Sequence, residues 1–119
     1  MSEKVFLSYA YEDAGLVRAV THRLPGLLRI NAKNLEVFDA LTGVHVGENI
    51  RERIKIEMKK AGTVVFFSSP NSDKSQWVSY EAGMAEALGK NVVIVGEKGM
   101  GKSSLLRNFG GSVRILELD

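Results

Sequence analysis

Several features that mark secreted, membrane-bound or nucleic-acid-binding proteins are missing from this sequence. It contains no cysteine, which excludes disulfides, thiolate zinc sites and a cysteine nucleophile and fits a reducing cytosol. No apolar run approaches the ~18 residues of a membrane-spanning helix, and the opening MSEKVFLSYA lacks the basic and then apolar build of a signal peptide. The formal net charge is only +2, and the basic residues are spread along the chain. We therefore expect a cytoplasmic protein that binds neither nucleic acid nor membrane.

The composition and periodicity of the sequence indicate one α/β domain. Its 119 residues, 45% of them hydrophobic and 25% charged, suit a single globular domain over residues 1–119. Short runs rich in Val, Ile and Phe alternate with longer segments in which apolar residues recur at helical spacing. The predicted strands are residues 5–7, 35–38, 63–67, 91–95 and 113–118, and the predicted helices are residues 12–28, 48–60, 77–88 and 103–108. Pro25–Gly26 is expected to end or kink the first of these helices.

This alternation predicts where a ligand would bind. It is typical of an open parallel sheet with helices on both faces, and five strands suit the flavodoxin-like order 2-1-3-4-5. In that order the ligand crevice lies beyond the carboxyl ends of strands 1 and 3. The residues there are Ser8, Tyr9 and Ala10 after strand 1 and Ser68–Ser69 after strand 3, with the loop 39–49 nearby. A response regulator would need clustered carboxylates at these strand ends, so serines there exclude that class.

A second candidate site is the string GEKGMGKS at residues 96–103, which fits the phosphate-binding pattern G-x-x-x-x-G-K-[ST]. In that pattern backbone N–H groups surround a phosphate, the Lys adds positive charge and the Ser helps to hold Mg²⁺. The string follows an apolar strand and precedes a short helix, as the motif demands. However, only 16 residues follow Ser103, enough for a short helix and one strand but not for a strand that ends in a Mg²⁺-binding Asp at the normal distance from the motif. We expect a polar, flexible loop here rather than a nucleoside triphosphatase.

A third candidate lies in the string SQWVSYE, where Trp77 and Glu81 are four residues apart and share one helix face. Asp73, three residues before Gln76, is the expected cap of this helix, which would begin near Lys74. Glu81 would then lie beside the crevice. A carboxylate beneath an aromatic ring suits the cleavage of an N-glycosidic bond, because it can stabilise or trap the sugar cation. On the spacing alone, a partly buried tryptophan beside a solvated acid is the favoured interpretation, because acids with a perturbed pKa are the minority.

In order along the chain, several stretches resemble the conserved parts of Toll/interleukin-1 receptor (TIR) domains, and the resemblance runs from Lys4 to Leu118. KVFLSY at residues 4–9 resembles the first conserved box, and Asp13 lies where the first helix opens. Phe38–Asp39 resembles the end of the second strand, the glycine-bearing loop resembles the BB loop, and residues 50–54 resemble the second helix. Residues 64–68, followed by S-x-W-x-x-x-E, resemble the third strand and the W-x-x-x-E helix of the NAD-cleaving members.

The resemblance, which is to the bacterial NAD-consuming type, implies cleavage of NAD⁺ into nicotinamide and a linear or cyclic ADP-ribose. It implies NAD⁺ as substrate, no cofactor and no metal, a role in antiphage immune signalling, activation by self-assembly, and a fused or separate sensor domain. By position in the family's motifs, the implied residues are Glu81 for catalysis; Ser8, Tyr9, Ala10, Asp39, Ser68 and Trp77 for substrate binding; and Thr42, Gly43, Val44, His45 and Gly47 for self-association through the BB loop.

The sequence departs from the family after strand 4, where family members have an apolar-rich loop and helix and this chain has GEKGMGKS. The string emerges at the same edge of the sheet as the crevice, so we predict that Lys98 or Lys102 contacts the pyrophosphate of the substrate. Two other interpretations stay open. One is a TIR interaction or adaptor module without catalysis, and the other is a P-loop nucleotide-binding protein.

Overall fold

The protein is described by a computed structural model that covers residues 3–43, 47, 49–97, 109 and 113–118. Its strands are β1 (Glu3–Ser8), β2 (Leu35–Asp39), β3 (Thr63–Ser68), β4 (Asn91–Glu97) and β5 (Arg114–Leu118). They form one five-stranded sheet in the order β2-β1-β3-β4-β5. Every neighbouring pair is parallel. The flavodoxin-like α/β fold predicted from the sequence is therefore confirmed.

Helices connect the strands on both faces of the sheet. Within the described ranges they are α1 (Ala14–Val20), α2 (Leu24–Leu28), α3 (Ala40–Gly43), α4 (Ile50–Lys60), α5 (Pro70–Lys74) and α6 (Gln76–Ala87). The helices α4 and α6 agree with the predicted helices to within two residues at each end. The start of α4 is fixed by Asn49, whose side-chain oxygen accepts a hydrogen bond of 3.1 Å from the backbone N–H of Glu52.

The segment predicted as a helix over residues 12–28, with an end or a kink at Pro25–Gly26, is interrupted as expected, but the break lies just before the proline, at residues 21–23. Two 3-10 turns, Tyr11–Asp13 and Thr21–Arg23, precede α1 and α2. Pro25 lies in the first turn of α2, where its missing N–H leaves no intrahelical hydrogen bond unmade. In the interior of a longer helix the same proline would break the hydrogen-bond ladder. The helix ends before Arg29, which adopts the left-handed conformation with φ 57°.

The core consists of two clusters, one on each face of the sheet. On one face Phe6 and Phe66 of the central strands pack with the buried side chains of α4 and α6. On the other face Leu7 and Val65 pack with those of α1 and α2. Because both faces are covered, β3 is buried without interruption over residues 64–67.

The strand register brings the chain segments after β1, β2 and β3 to the same edge of the sheet. Leu7 pairs with Asp39, the last residue of β2, and Ser8 pairs with Phe66 in β3. The opposite edge has a cavity of about 550 Å³ among the first residues of β1, β3, β4 and β5, and none of the predicted site residues that the structure describes lines it. The carboxyl edge is therefore where the predicted site residues come together.

Candidate active site

The centre of the site is a hydrogen bond between two side chains that lie 73 positions apart in the sequence. The hydroxyl of Ser8, the last residue of β1, donates to Oε1 of Glu81 in α6 over 2.7 Å. Both side chains are buried, with Ser8 1% and Glu81 0% exposed. The alternative in which Glu81 is a solvated acid is therefore wrong.

Glu81 is buried because it belongs to the inward face of α6. Val78, Ala82 and Ala85 are the apolar members of that face and are fully buried. A carboxyl group in such a stripe loses its hydration, which is unfavourable unless its oxygens find partners. Only Oε1 has a partner, since Oε2 has no hydrogen-bond partner among the residues that the structure describes. A buried oxygen without a partner is uncommon in folded proteins and points to a role in binding or chemistry.

The start of α6 differs from the prediction. Ser75, not Asp73, caps the helix, and its hydroxyl oxygen accepts a hydrogen bond of 3.1 Å from the backbone N–H of Val78. Asp73 cannot take that position, because residues 70–74 form the short helix α5. Ser75 is at once the last cap of α5 and the first cap of α6, so the two helices are joined without a loop.

The surroundings of Glu81 favour its neutral form. Burial raises the pKa of the carboxyl group from 4.5 to about 8; the hydrogen bond from Ser8 opposes this rise, and the negative charge of Asp39 adds to it. A carboxyl group whose pKa lies this close to neutrality can either hold or release its proton under physiological conditions. Perturbed groups of this kind are concentrated at functional sites.

A second hydrogen bond joins the ends of β1 and β2. The hydroxyl of Tyr9 donates to Oδ2 of Asp39 over 2.7 Å, and the backbone N–H of Leu41 donates to Oδ1 over 2.9 Å. Burial raises the pKa of Tyr9, as do the hydrogen bond to Asp39 and its charge. Tyr9 and the neighbouring Ala10 are almost fully buried. Tyr9 therefore holds the carboxylate of Asp39 in place, and the hydroxyl proton of Tyr9 is already used in this hydrogen bond.

The other predicted residues are only partly described. Trp77 is half-buried, packs against the core cluster that contains Phe6, and has its ring centroid 6.2 Å from that of Tyr80. Ser68 is half-buried at the end of β3. In the BB loop, Thr42 and Gly47 are exposed and Gly47 has a φ of 91°. The remaining predicted residues, Val44, His45, Lys98 and Lys102, and the predicted helix at 103–108, lie outside the described residues.

Gly43 lies at the base of the BB loop, against the ring of Phe38. A Cβ atom at this position would be 2.7 Å from Cε1 of that ring, closer than side chains tolerate. The ring is held in place in turn, since Phe6 lies 5.5 Å away and the guanidinium of Arg53 lies 5.4 Å from its centroid. The last residue of α3 therefore has to be glycine for the backbone to pack this closely against Phe38.

A third set of polar contacts, at the carboxyl edge of the sheet, was not predicted from the sequence. The carboxylate of Asp13 accepts hydrogen bonds from the side chains of Ser69 and Asn71, the latter over 2.8 Å. The only signal in the sequence is that polar residues follow both β1 and β3. Their pairing depends on the parallel register of the two strands and could not be read from spacing along the chain.

The described residues include neither a candidate metal site nor a membrane-spanning helix. No group of three His, Asp or Glu side chains in that part of the chain could hold a metal ion. No helix in the described ranges is both long enough and apolar enough to cross a membrane.

Comparisons with known proteins support the fold and the resemblance. The family model described as "TIR domain" matches residues 5–102. No curated protein gives a significant match.

Three solved structures similar to this chain illustrate the range of the fold. The CMP N-glycosidase BcmB of Clostridium botulinum has a TM-score of 0.62 and 19% identity, over 98% of this chain and 87% of that one. The TIR domain of the Toll-related receptor TRR-2 from Hydra magnipapillata has a TM-score of 0.67 and 14% identity, over 93% and 82%. The TIR domains of the activated Roq1 resistosome, which recognises the pathogen effector XopQ, have a TM-score of 0.60 and 24% identity, over 82% and 58%. At these identities the likeness establishes the shared fold alone.

Proposed function

Because this chain belongs to the TIR domain family, we propose that it is an enzyme that cleaves the bond between nicotinamide and ribose in NAD⁺. The observation that carries the proposal is the buried carboxyl group of Glu81, which accepts a hydrogen bond from Ser8 and keeps a second oxygen without a partner among the described residues. This group lies at the edge of the sheet where α/β folds bind ligands. A similarly folded neighbour is a CMP N-glycosidase, so an N-glycosidic bond is within the chemistry that this fold supports.

In the proposed reaction the positive charge of the nicotinamide ring moves to the ribose of the substrate. As the N-glycosidic bond breaks, its electron pair leaves with the nicotinamide nitrogen, which becomes neutral, and positive charge develops on the ribose. The ionised Glu81 stabilises this cation or bonds to it covalently. Attack by water at the same carbon gives ADP-ribose and releases one proton. Attack by a nitrogen of the substrate's own adenine would give a cyclic product instead.

The raised pKa of Glu81 couples its ionisation to the arrival of substrate. In the free protein the pKa is about 8, so the neutral form is the major one at pH 7. The nicotinamide ring of NAD⁺ carries a positive charge, and an opposite charge nearby favours the ionised form of a carboxyl group. NAD⁺ binding therefore lowers the pKa of Glu81 and generates the carboxylate where the cation will form. A substrate with a neutral base, such as CMP, gives no such assistance.

Self-association belongs to the same proposal. The family includes domains that act in assemblies, such as those of the Roq1 resistosome. The BB loop, from Thr42 to Gly47, is the proposed contact between copies, and its backbone at Gly43 packs closely against the ring of Phe38. In the proposed antiphage role, a fused or separate sensor domain would supply the activating signal. The cytoplasmic location and the contact of Lys98 or Lys102 with pyrophosphate stay predictions.

The experiment is to incubate the concentrated protein with NAD⁺ or CMP and to separate the products by liquid chromatography. We expect nicotinamide from NAD⁺, no cytosine from CMP, and no release by Glu81→Ala. Undiminished release by Glu81→Ala would refute the catalytic assignment. Release of cytosine from CMP without release of nicotinamide from NAD⁺ would show that CMP, not NAD⁺, is the substrate. No release from protein that is held in an oligomer would favour the adaptor interpretation, and tight Mg²⁺-dependent binding of ATP or GTP would favour the P-loop interpretation.

A further inference from the structure

Asp13 joins the two chain segments that flank the site. It lies in the 3-10 turn Tyr11–Asp13 that follows β1, and its backbone N–H donates to the carbonyl oxygen of Ala10 over 2.9 Å. Its carboxylate reaches across to the segment after β3. One carboxylate oxygen accepts from the hydroxyl of Ser69, and the other accepts from the side-chain amide of Asn71 over 2.8 Å. We name this set of contacts the Asp13 bridge.

On the β3 side, the Asp13 bridge is connected directly to the start of a helix. The oxygen of the Ser69 side chain also accepts the backbone N–H of Ser72, and the hydroxyl of Ser72 accepts the backbone N–H of Ser69. These reciprocal bonds form a capping box that begins α5. Ser72 is 1% exposed, so the cap lies inside the protein. Asp13 is therefore held by a group whose own position is fixed.

The bridge makes a second link between the two halves of the proposed active site. Ser8 precedes Asp13 by five residues on the β1 side. On the β3 side, α5 continues through Ser75 directly into α6, which carries Glu81. The hydrogen bond from Ser8 to Glu81 and the bridge thus join the same two segments at two points. The ladder between β1 and β3 fixes their register only as far as Ser8 and Phe66, and the two side-chain contacts extend this attachment beyond the strand ends.

We infer that Asp13 is a positioning residue that keeps Ser8 and Glu81 in register for cleavage of the N-glycosidic bond. The inference rests on the proposed function. The carboxylate of Asp13 bonds to Ser69 and Asn71 and not to Ser8 or Glu81, so it acts on them through the segments that it joins. Geometry errors of about 1 Å can reduce turnover by roughly 100-fold, and hydrogen bonds to a charged group are stronger than those between neutral groups. Loss of one arm of the bridge should therefore reduce kcat by about 10-fold or more.

The test uses Asn71→Ala, which removes one arm at an exposed position of α5, and Asp13→Asn, which keeps the size of the side chain. Lys74→Ala, at another exposed position of α5, is the control. For both bridge variants we expect kcat to fall about 10-fold or more with KM changed less than about 3-fold. We also expect the midpoint of kcat/KM against pH to rise, because a weaker hydrogen bond from Ser8 no longer opposes the raised pKa of Glu81. A kcat and a midpoint equal to those of Lys74→Ala would overturn the inference.

A readout without substrate separates this inference from the proposed function. Hydrogen exchange at the amide of Asp13, which is bonded to Ala10, reports on the turn after β1. Asn71→Ala changes the other segment, yet it should speed exchange at Asp13 relative to the wild type and to Lys74→Ala. Unchanged exchange would refute the bridge even if the wild type cleaves NAD⁺. Faster exchange in a protein that releases no nicotinamide would support the bridge as a link between the segments and would refute only the proposed reaction.

Discussion

Replacing Glu81 by glutamine should make the protein more stable at neutral pH, although it removes the proposed catalytic group. Glutamine keeps the shape of the protonated carboxyl group and an oxygen that can accept from Ser8. It has no proton to release. The wild-type carboxyl group has a pKa of about 8 in the folded protein and 4.5 as its ordinary value. The folded protein therefore retains a proton that the unfolded chain gives up.

The sign and size of the effect follow from proton linkage. Between these two pKa values the unfolded state binds fewer protons than the folded state, so the free energy of unfolding falls as the pH rises. The stabilisation is fully present below about pH 4.5 and is lost as the pH passes through about 8. At about 1.4 kcal/mol per pKa unit, the wild type should lose roughly 2–3 kcal/mol between pH 5 and pH 7 relative to Glu81→Gln.

The assay is urea unfolding of both proteins at several values between pH 5 and pH 8, followed by circular dichroism. The two proteins differ only at position 81, so the difference between the two curves reports the effect of this carboxyl group. Glu86→Gln, at an exposed position of α6, controls for the change in net charge. A difference between the wild type and Glu81→Gln that stays constant over this range would refute the raised pKa and the mechanism built on it.

Three further predictions concern activity and packing. For the wild type, kcat/KM for NAD⁺ should rise with pH and level off above about pH 8, since this ratio reports the free enzyme. Ser8→Ala removes the hydrogen bond that opposes the raised pKa of Glu81, so this midpoint should move upward; an unmoved midpoint would contradict the contact. Gly43→Ala would place its Cβ 2.7 Å from Phe38 and should destabilise the fold by about 1–3 kcal/mol in thermal unfolding. Gly15→Ala, which meets nothing within 4 Å in α1, should stabilise it by about 0.5–1 kcal/mol, and equal effects of the two changes would contradict this packing.

The sheet could be predicted from the sequence because its signals are local. Runs such as residues 63–67 are apolar on both faces, and the alternation of strands and helices limits the order in which such strands can pair. The interruption of the helix predicted over residues 12–28 is expected from a signal that is also local, the dipeptide Pro25–Gly26. The apolar spacing continues through Pro25, but the proline has no N–H with which to continue the helix.

The site could be predicted only in outline. The spacing of Trp77 and Glu81 placed a carboxyl group near the crevice, but whether that group is solvated or buried depends on how α6 packs. The bond between Ser8 and Glu81 and the contacts of Asp13 join residues more than 50 positions apart. Such contacts follow from the register of parallel strands, which the sequence pattern does not specify in detail.

In the proposed mechanism the carboxyl group of Glu81 performs the cleavage. The most direct test is the rate of nicotinamide release from NAD⁺ by the wild type and by Glu81→Gln, at equal and high protein concentration and at pH 8. Glutamine preserves the fold and cannot ionise, so we predict release by the wild type and a loss of at least about 1,000-fold in the variant, comparable to removal of other essential catalytic groups. Equal rates for the two proteins would contradict the claim.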